Sequence, residues 1–158
     1  MKSTLTALSI LAASSGMALA AGDAEAGKKV FNQCQTCHVV ADADGNVLAG
    51  KNAKTGPNLY GIIGRPAASY EGFKYGDGIL EAKEKGLVWD EAQLATYVQD
   101  PGKFLVEVTG NSKAKSKMVF KVKKETDAAN VAAFLATFGG AAPAAAGEAA
   151  PAEGEATN

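Results

Sequence analysis

The sequence predicts a small all-α domain of about four to five helices, with long loops wrapped around one bound group. Three observations carry that expectation. Four stretches have helical apolar spacing and none reads clearly as strand. Long connections rich in Gly, Asn and Lys separate them, over residues 41–56, 61–76 and 107–117. So much irregular chain is unusual in a small all-α domain, and it makes sense if the loops enclose a ligand. Finally, the chain has two Cys and one His, and all three fall within five residues.

Taken in order, residues 1–21 read as a secretory signal. Lys2 supplies a positive start, Leu5 to Leu11 an apolar run, and Ala18-Leu19-Ala20 small residues for cleavage after Ala20 or Ala21. The alternative is an uncleaved amphipathic anchor. Cleavage would place the mature protein in the periplasm. The domain itself is expected over residues 22–139. Its first helix has Asp23 as cap and Val30, Phe31 and Cys34 on one face. A weaker helix follows over Asp77 to Lys85, with Gly86 as its stop. Asp90 and Gln93 form a capping-box pattern for the third, whose apolar face is Leu94, Tyr97 and Val98 and which Asp100-Pro101 ends. In the last helix Thr126 is the expected cap, Val131, Phe134, Leu135 and Phe138 recur at helical steps, and Gly139-Gly140 closes it. Residues 140–158 are almost all Ala, Gly, Pro and Glu, which predicts a disordered acidic tail. Sixteen Lys and Arg against seventeen Asp and Glu argue neither for nucleic acid nor for a polybasic membrane partner, and none of either is expected.

The chemistry sits in Cys34-Gln35-Thr36-Cys37-His38, the spacing of c-type haem attachment. Each thiol can form a thioether to one haem vinyl group, and the adjacent imidazole is then aimed at the iron. A thioredoxin-like pair would expect a preceding strand and a βαβ pattern. A structural zinc site would need a fourth ligand. A plain disulfide would leave the position of His38 a coincidence. His38 needs a hydrogen-bond acceptor to orient its ring, and the carbonyl of Pro57 in Thr55-Gly56-Pro57-Asn58-Leu59 is the candidate.

The ligand on the other side of the iron decides the function. A haem with both axial positions filled transfers electrons, and one with an open position binds or activates small molecules. After the signal, no second His remains and Met118 is the one Met. Met118 lies in a polar, Lys-rich stretch without helical apolar periodicity, which favours ligation over core filling. The alternative ligand is a lysine, from Lys113, Lys115, Lys117 or Lys121. Six lysines, Lys113, Lys115, Lys117, Lys121, Lys123 and Lys124, flank Met118 with no carboxylate until Glu125. Such a run is either a solvated face or a docking surface for an acidic redox partner, whose encounter it would steer.

These residues belong to a wider resemblance over nearly all of residues 22–138. The matching stretches are Gly27-Lys28-Lys29-Val30-Phe31, the haem motif, Lys54-Thr55-Gly56-Pro57-Asn58-Leu59-Tyr60-Gly61, Gly64-Arg65, Gly72-Phe73-Lys74-Tyr75, Lys85-Gly86-Leu87-Val88-Trp89 and Lys117-Met118-Val119-Phe120. Together they resemble class I cytochromes c, of the soluble periplasmic c-two type of photosynthetic and denitrifying proteobacteria. The resemblance implies the small cytochrome c fold around one haem c attached through Cys34 and Cys37. It implies that Gly27 and Phe31 pack on the last helix near Phe134. Arg65, Tyr75 and Trp89 would support the haem propionates, and Tyr97 would contact the methionine ligand. It also implies a monomeric electron carrier, not an enzyme, inserted in no membrane. Its donor would be a quinol-oxidising cytochrome complex and its acceptor a photosynthetic reaction centre or terminal oxidase. The other class is a haem peroxidase or gas binder with a labile sixth ligand. Phe134 stands where the family has tyrosine, and the tail has no counterpart in the family pattern.

Overall fold

The computed structural model describes residues 22–139. The signal and tail expectations, on residues 1–21 and 140–158, lie outside the described residues. The order of elements is α1 (Ala24–Phe31), β1 (Val39–Ala41), β2 (Val47–Gly50), α2 (Asp77–Glu84), α3 (Glu91–Gln99), α4 (Pro101–Thr109) and α5 (Glu125–Ala136). Among the described residues no helix is long and apolar enough to cross a membrane.

The first helix starts where its cap predicts. The Asp23 carboxylate accepts from the N–H groups of Glu25 and Ala26, at 2.8 and 3.1 Å. Its buried face is Gly27, Val30 and Phe31, and that face packs on α5. The close approach explains Gly27: a Cβ there would overlap the Asn130 carbonyl and lie 2.8 Å from the Cβ of Phe134. The rings of Phe31 and Phe134 meet at 5.5 Å between centroids. The Asp23 N–H donates to the Asn130 side-chain Oδ1 at 2.8 Å, a bond between the start of α1 and α5.

Helix α3 carries the full capping box, with Asp90 Oδ1 accepting from Gln93 N–H at 2.7 Å and Gln93 Oε1 from Asp90 N–H at 3.3 Å. It packs on α5 and α4. Its aromatic contribution joins Trp89 and Phe104 in one cluster: Trp89 stacks on Phe104 at 5.7 Å, and Tyr97 meets both edge-on at 5.0 and 5.6 Å.

Three expectations are corrected. The Asp100-Pro101 pair ends α3, but it also begins α4. Asp100 Oδ1 accepts from Lys103 N–H at 3.1 Å and Pro101 occupies the first turn, where its missing N–H costs nothing. The irregular connection therefore begins after Thr109 and not at Glu107, where Gly110 with φ +73° stops the helix. The last helix is capped at Lys124, without a side-chain bond, so Thr126 lies inside its first turn. The connection after the haem motif is not all loop: β1 and β2 pair antiparallel, Val39 opposite Gly50 and Val40 opposite Ala49, with an irregularity beside Ala41. The Asp42 carboxylate builds the hairpin turn by accepting from Asp44 N–H, Asn46 N–H and Asn46 Nδ2.

Candidate haem site

Helix α1 delivers the chain into one further helical turn. The N–H groups of Cys34 and Gln35 donate to the Phe31 carbonyl at 2.8 and 3.0 Å, and those of Cys37 and His38 to the Cys34 carbonyl, both at 3.0 Å. The motif thus winds through a tight turn that sets its two thiols and the imidazole close together. Both thiols are free and half-buried. Burial, with a smaller contribution from the neighbouring Cys37, pushes the Cys34 thiol up to about 11.

The imidazole is held from two sides. Its Nδ1–H donates to the Pro57 carbonyl at 2.9 Å, which leaves Nε2 as the ring nitrogen with a free lone pair. Gly56 lies flat against the ring: a Cβ there would overlap Cε1 and sit 2.6 Å from Nδ1. Burial lowers the imidazole pKa, opposed by the bond to Pro57. The segment that supplies Gly56 and Pro57 is tied to the motif by the chain itself. Gly56 N–H donates to the Cys37 carbonyl at 2.7 Å and Leu59 N–H to the Val39 carbonyl at 2.9 Å. Asn58 completes the tie, with its side chain bonded both ways to the backbone of Ala41 at 3.0 and 2.7 Å.

Arg65 spends its guanidinium on two backbone carbonyls, Tyr60 at 2.9 Å and Asn58 at 2.8 Å, and lies 5.8 Å from the centre of the Tyr70 ring. Desolvation lowers its pKa, against which Tyr75 and Tyr70 act. The Tyr75 hydroxyl accepts from Tyr70 N–H at 3.2 Å, so Tyr70 links the two residues. Burial raises the Tyr75 pKa. Trp89 joins the same region through its backbone: its N–H donates to the Arg65 carbonyl at 3.0 Å, and its carbonyl accepts from Gly64 N–H at 2.7 Å. Its ring points into the Tyr97 and Phe104 cluster.

Met118 is half-buried and packs against the core. Its N–H donates to Ser116 Oγ at 3.0 Å, and the same hydroxyl is 3.0 Å from the Tyr97 hydroxyl. Burial raises the Tyr97 pKa, and the bond to Ser116 works the other way. Ser116 is a residue that sequence reasoning missed, because only the fold brings it to Tyr97.

The six lysines divide into two groups. Lys121 Nζ bonds Asp100 Oδ2 at 2.7 Å and Lys117 Nζ donates to the Lys74 carbonyl at 3.1 Å. Lys113, Lys115, Lys123 and Lys124 are exposed and have no ion-pair partner among the described residues. Val119 beside Met118 is 86% exposed and Phe120 39%, so the cationic stretch also presents apolar surface. A cleft of about 740 Å³ is lined by Tyr75, Phe73, Leu80 and Lys117 and touches neither thiol.

The donor set fits a haem. Among the described residues no group of three or more His, Cys, Asp and Glu could hold a bare metal ion. An iron that arrives with four macrocycle nitrogens needs only axial donors from the chain, and two free thiols beside an oriented imidazole meet the attachment chemistry.

No family model matches the chain. Among curated relatives, cytochrome c2 of Cereibacter sphaeroides is 56% identical over 138 residues, covering 85% of this chain and 95% of that one. Cytochrome c-550 of Paracoccus versutus is 56% identical over 137 residues, 85% of each chain. The crystal structure of cytochrome c2 from Rhodobacter sphaeroides superposes with a TM-score of 0.73 at 58% identity, over 77% of this chain and 99% of that one. Fold, motif and relatives agree, and the chain belongs to the cytochrome c2 family: it is an electron-transfer protein, not an enzyme, with one haem c bound covalently through Cys34 and Cys37.

Proposed function

We propose that His38 and Met118 are the two axial ligands of this haem. The protein then carries single electrons from a quinol-oxidising cytochrome complex to a photosynthetic reaction centre or terminal oxidase. Bound between two such ligands, the haem supplies a reversible one-electron couple with no open coordination site. The observation that carries the reading is the pair of braces on the two candidate ligands. The Pro57 carbonyl holds the His38 ring with Nε2 free, and Ser116 holds the Met118 backbone under Tyr97. Arg65, Tyr75 and Trp89 form the propionate side of the site. The working protein is a periplasmic monomer that begins after residue 21, with residues 22–139 as its haem domain.

Acidic partners dock at the lysine face, and Lys113, Lys115, Lys123 and Lys124 supply the free charge there. Lys117 and Lys121 are already engaged within the domain and contribute less. Interfaces of this kind are small and weak, as rapid turnover requires.

Absorption spectra of both oxidation states with a redox titration test the ligation. A ferric iron–thioether charge-transfer band and a reversible one-electron titration are expected. Absence of that band together with rapid carbon monoxide binding by the ferrous form would assign the chain to the ligand-binding class. For docking, Lys115→Glu with Lys123→Glu should slow association with an acidic redox protein several-fold at about 10 mM salt, with the difference fading as salt rises. An unchanged rate would remove the docking face.

A further inference from the structure

The four free lysines face a charge imbalance that the described residues leave open. Glu125 and Asp127 in the first turn of α5 are the nearest acids in sequence to Lys123 and Lys124. Neither forms an ion pair with them. A second acidic stretch lies elsewhere in the same chain. Residues 140–158 contain Glu148, Glu153 and Glu155 and no Lys or Arg.

The geometry allows the two to meet. The segment departs from Gly139, which lies against the Tyr60 ring. The preceding residue is anchored there, since the Phe138 carbonyl accepts from Gly61 N–H at 2.7 Å. Lys124 is the cap at the opposite end of α5. Twelve helical residues separate the ends by about 18 Å. Glu148 is nine residues past Gly139 and can lie up to about 30 Å from it, while Glu153 and Glu155 reach further. All three carboxylates can therefore reach Lys123 and Lys124 from the same molecule. Tethering at this length gives a local concentration on the order of millimolar, well above the concentration of a typical encountered partner. At about 10 mM salt the screening length is about 30 Å, comparable to the span.

We propose that the acidic segment of residues 140–158 is an internal counter-ion for the lysine face, competing with acidic redox partners for Lys123 and Lys124. The proposal rests on the docking reading above. Its consequence is a carrier whose encounter rate at low salt is held below what its lysines alone would give. The inhibition fades as salt screens the segment from the face.

The test uses mature holoprotein in three forms: the full chain, a chain ending at Gly139, and a variant with Glu148→Gln, Glu153→Gln and Glu155→Gln. Carbodiimide coupling of dilute full-length protein, followed by peptide mapping, should join Glu148, Glu153 or Glu155 to Lys123 or Lys124 within one molecule. Oxidation of the ferrous protein by hexacyanoferrate(III), one electron passing to the anion, reads the same contact kinetically. At about 10 mM salt the truncated and triple-Gln forms should react about two- to fivefold faster than the full chain, and equally at about 0.5 M. Neutralising Glu25, Asp44 and Glu84 instead makes the same change in net charge and should accelerate the reaction less. Equal rates for the full chain and both altered forms at low salt would overturn the proposal. So would an equal acceleration from the distant neutralisations, or coupling confined to other lysines such as Lys28 and Lys29. Should the coupling and rate effects appear while Lys115→Glu with Lys123→Glu leaves an acidic partner's association unchanged, the docking reading fails and the proposed competition with partners falls with it. The contact itself would then stand as an internal ion pairing.

Discussion

The two sides of the haem site, as proposed with His38 and Met118 as its axial ligands, are built from different materials. On the histidine side, consecutive backbone bonds fix the motif, the Gly56 backbone lies against the ring and the Pro57 carbonyl sets its rotation. On the methionine side, the chain from Gly110 to Lys124 is irregular and is held mostly by side chains: Ser116 to Met118 and Tyr97, Lys117 to Lys74, Lys121 to Asp100. Among the described residues the one backbone bond from this stretch to another element is the 2.8 Å bond from Val122 N–H to the Val98 carbonyl, at its far end. Backbone contacts leave little to vary except by steric intrusion. Side-chain contacts can be removed one at a time, so the methionine side is where stability and ligation can be tuned.

The largest effect should come from adding one carbon on the histidine side. Gly56→Ala puts a methyl into the His38 ring, which the Pro57 bond prevents from rotating away. Overpacking of this kind costs about 1–3 kcal/mol. Thermal unfolding of the holoprotein should fall by about 5–15 °C, with a spectrum shifted away from histidine ligation. An unchanged melt would show that the ring has room the geometry denies it.

Next comes Ser116→Ala, which removes the acceptor of Met118 N–H and the partner of the Tyr97 hydroxyl together. Leaving a fully buried group of this kind without a partner costs about 1–3 kcal/mol, and less here, because both groups are only partly buried. The ferric iron–thioether band should be lost at lower denaturant than in the parent, while the histidine side keeps its signature. Tyr97→Phe should do less, since Ser116 would still accept from Met118. If the two variants behave alike, the serine is not the brace.

The smallest effect lies at the rim. The Lys121 ammonium, followed by the Lys103 N–H, holds the Asp100 carboxyl below the usual carboxylate range. A depressed folded pKa contributes stability above the unfolded value, about pH 4, and that contribution disappears as pH falls through the folded one. Asp100→Asn should therefore lower the denaturation midpoint slightly at pH 7 and not at all near pH 2. A difference that persisted in acid would point to the α4 cap, and not to the ion pair.

Legibility in the sequence follows the same division. The haem motif is local, so its five residues announced it, and Asp23 and the Asp90 and Gln93 box marked their helix starts because capping is also local. The fourth helix was hidden because Asp100-Pro101 is a stop for α3 and a start for α4, and the pair reads the same in both roles. Strands of three and four residues are too short to display alternation, and the hairpin depends on the Asp42 turn. Met118 is proposed by elimination among donors, which needs only the sequence. Ser116 and the fit of Gly56 against His38 could not, because each exists only once distant segments have met.

The seam between α1 and α5 sets an order of events. Asp23 and Asn130 are 107 residues apart, yet among the described residues the first helix has no other helix partner of comparable extent. A chain made or exported from its amino end presents Cys34, Cys37 and His38 long before α5 exists to bury the helix that leads into them. Local structure can form in that interval, but the site cannot close, because a loop of about a hundred residues must still be completed. The helix that leads into the thiols thus keeps its packing face open while the rest of the domain emerges. The last helix to arrive shuts that window.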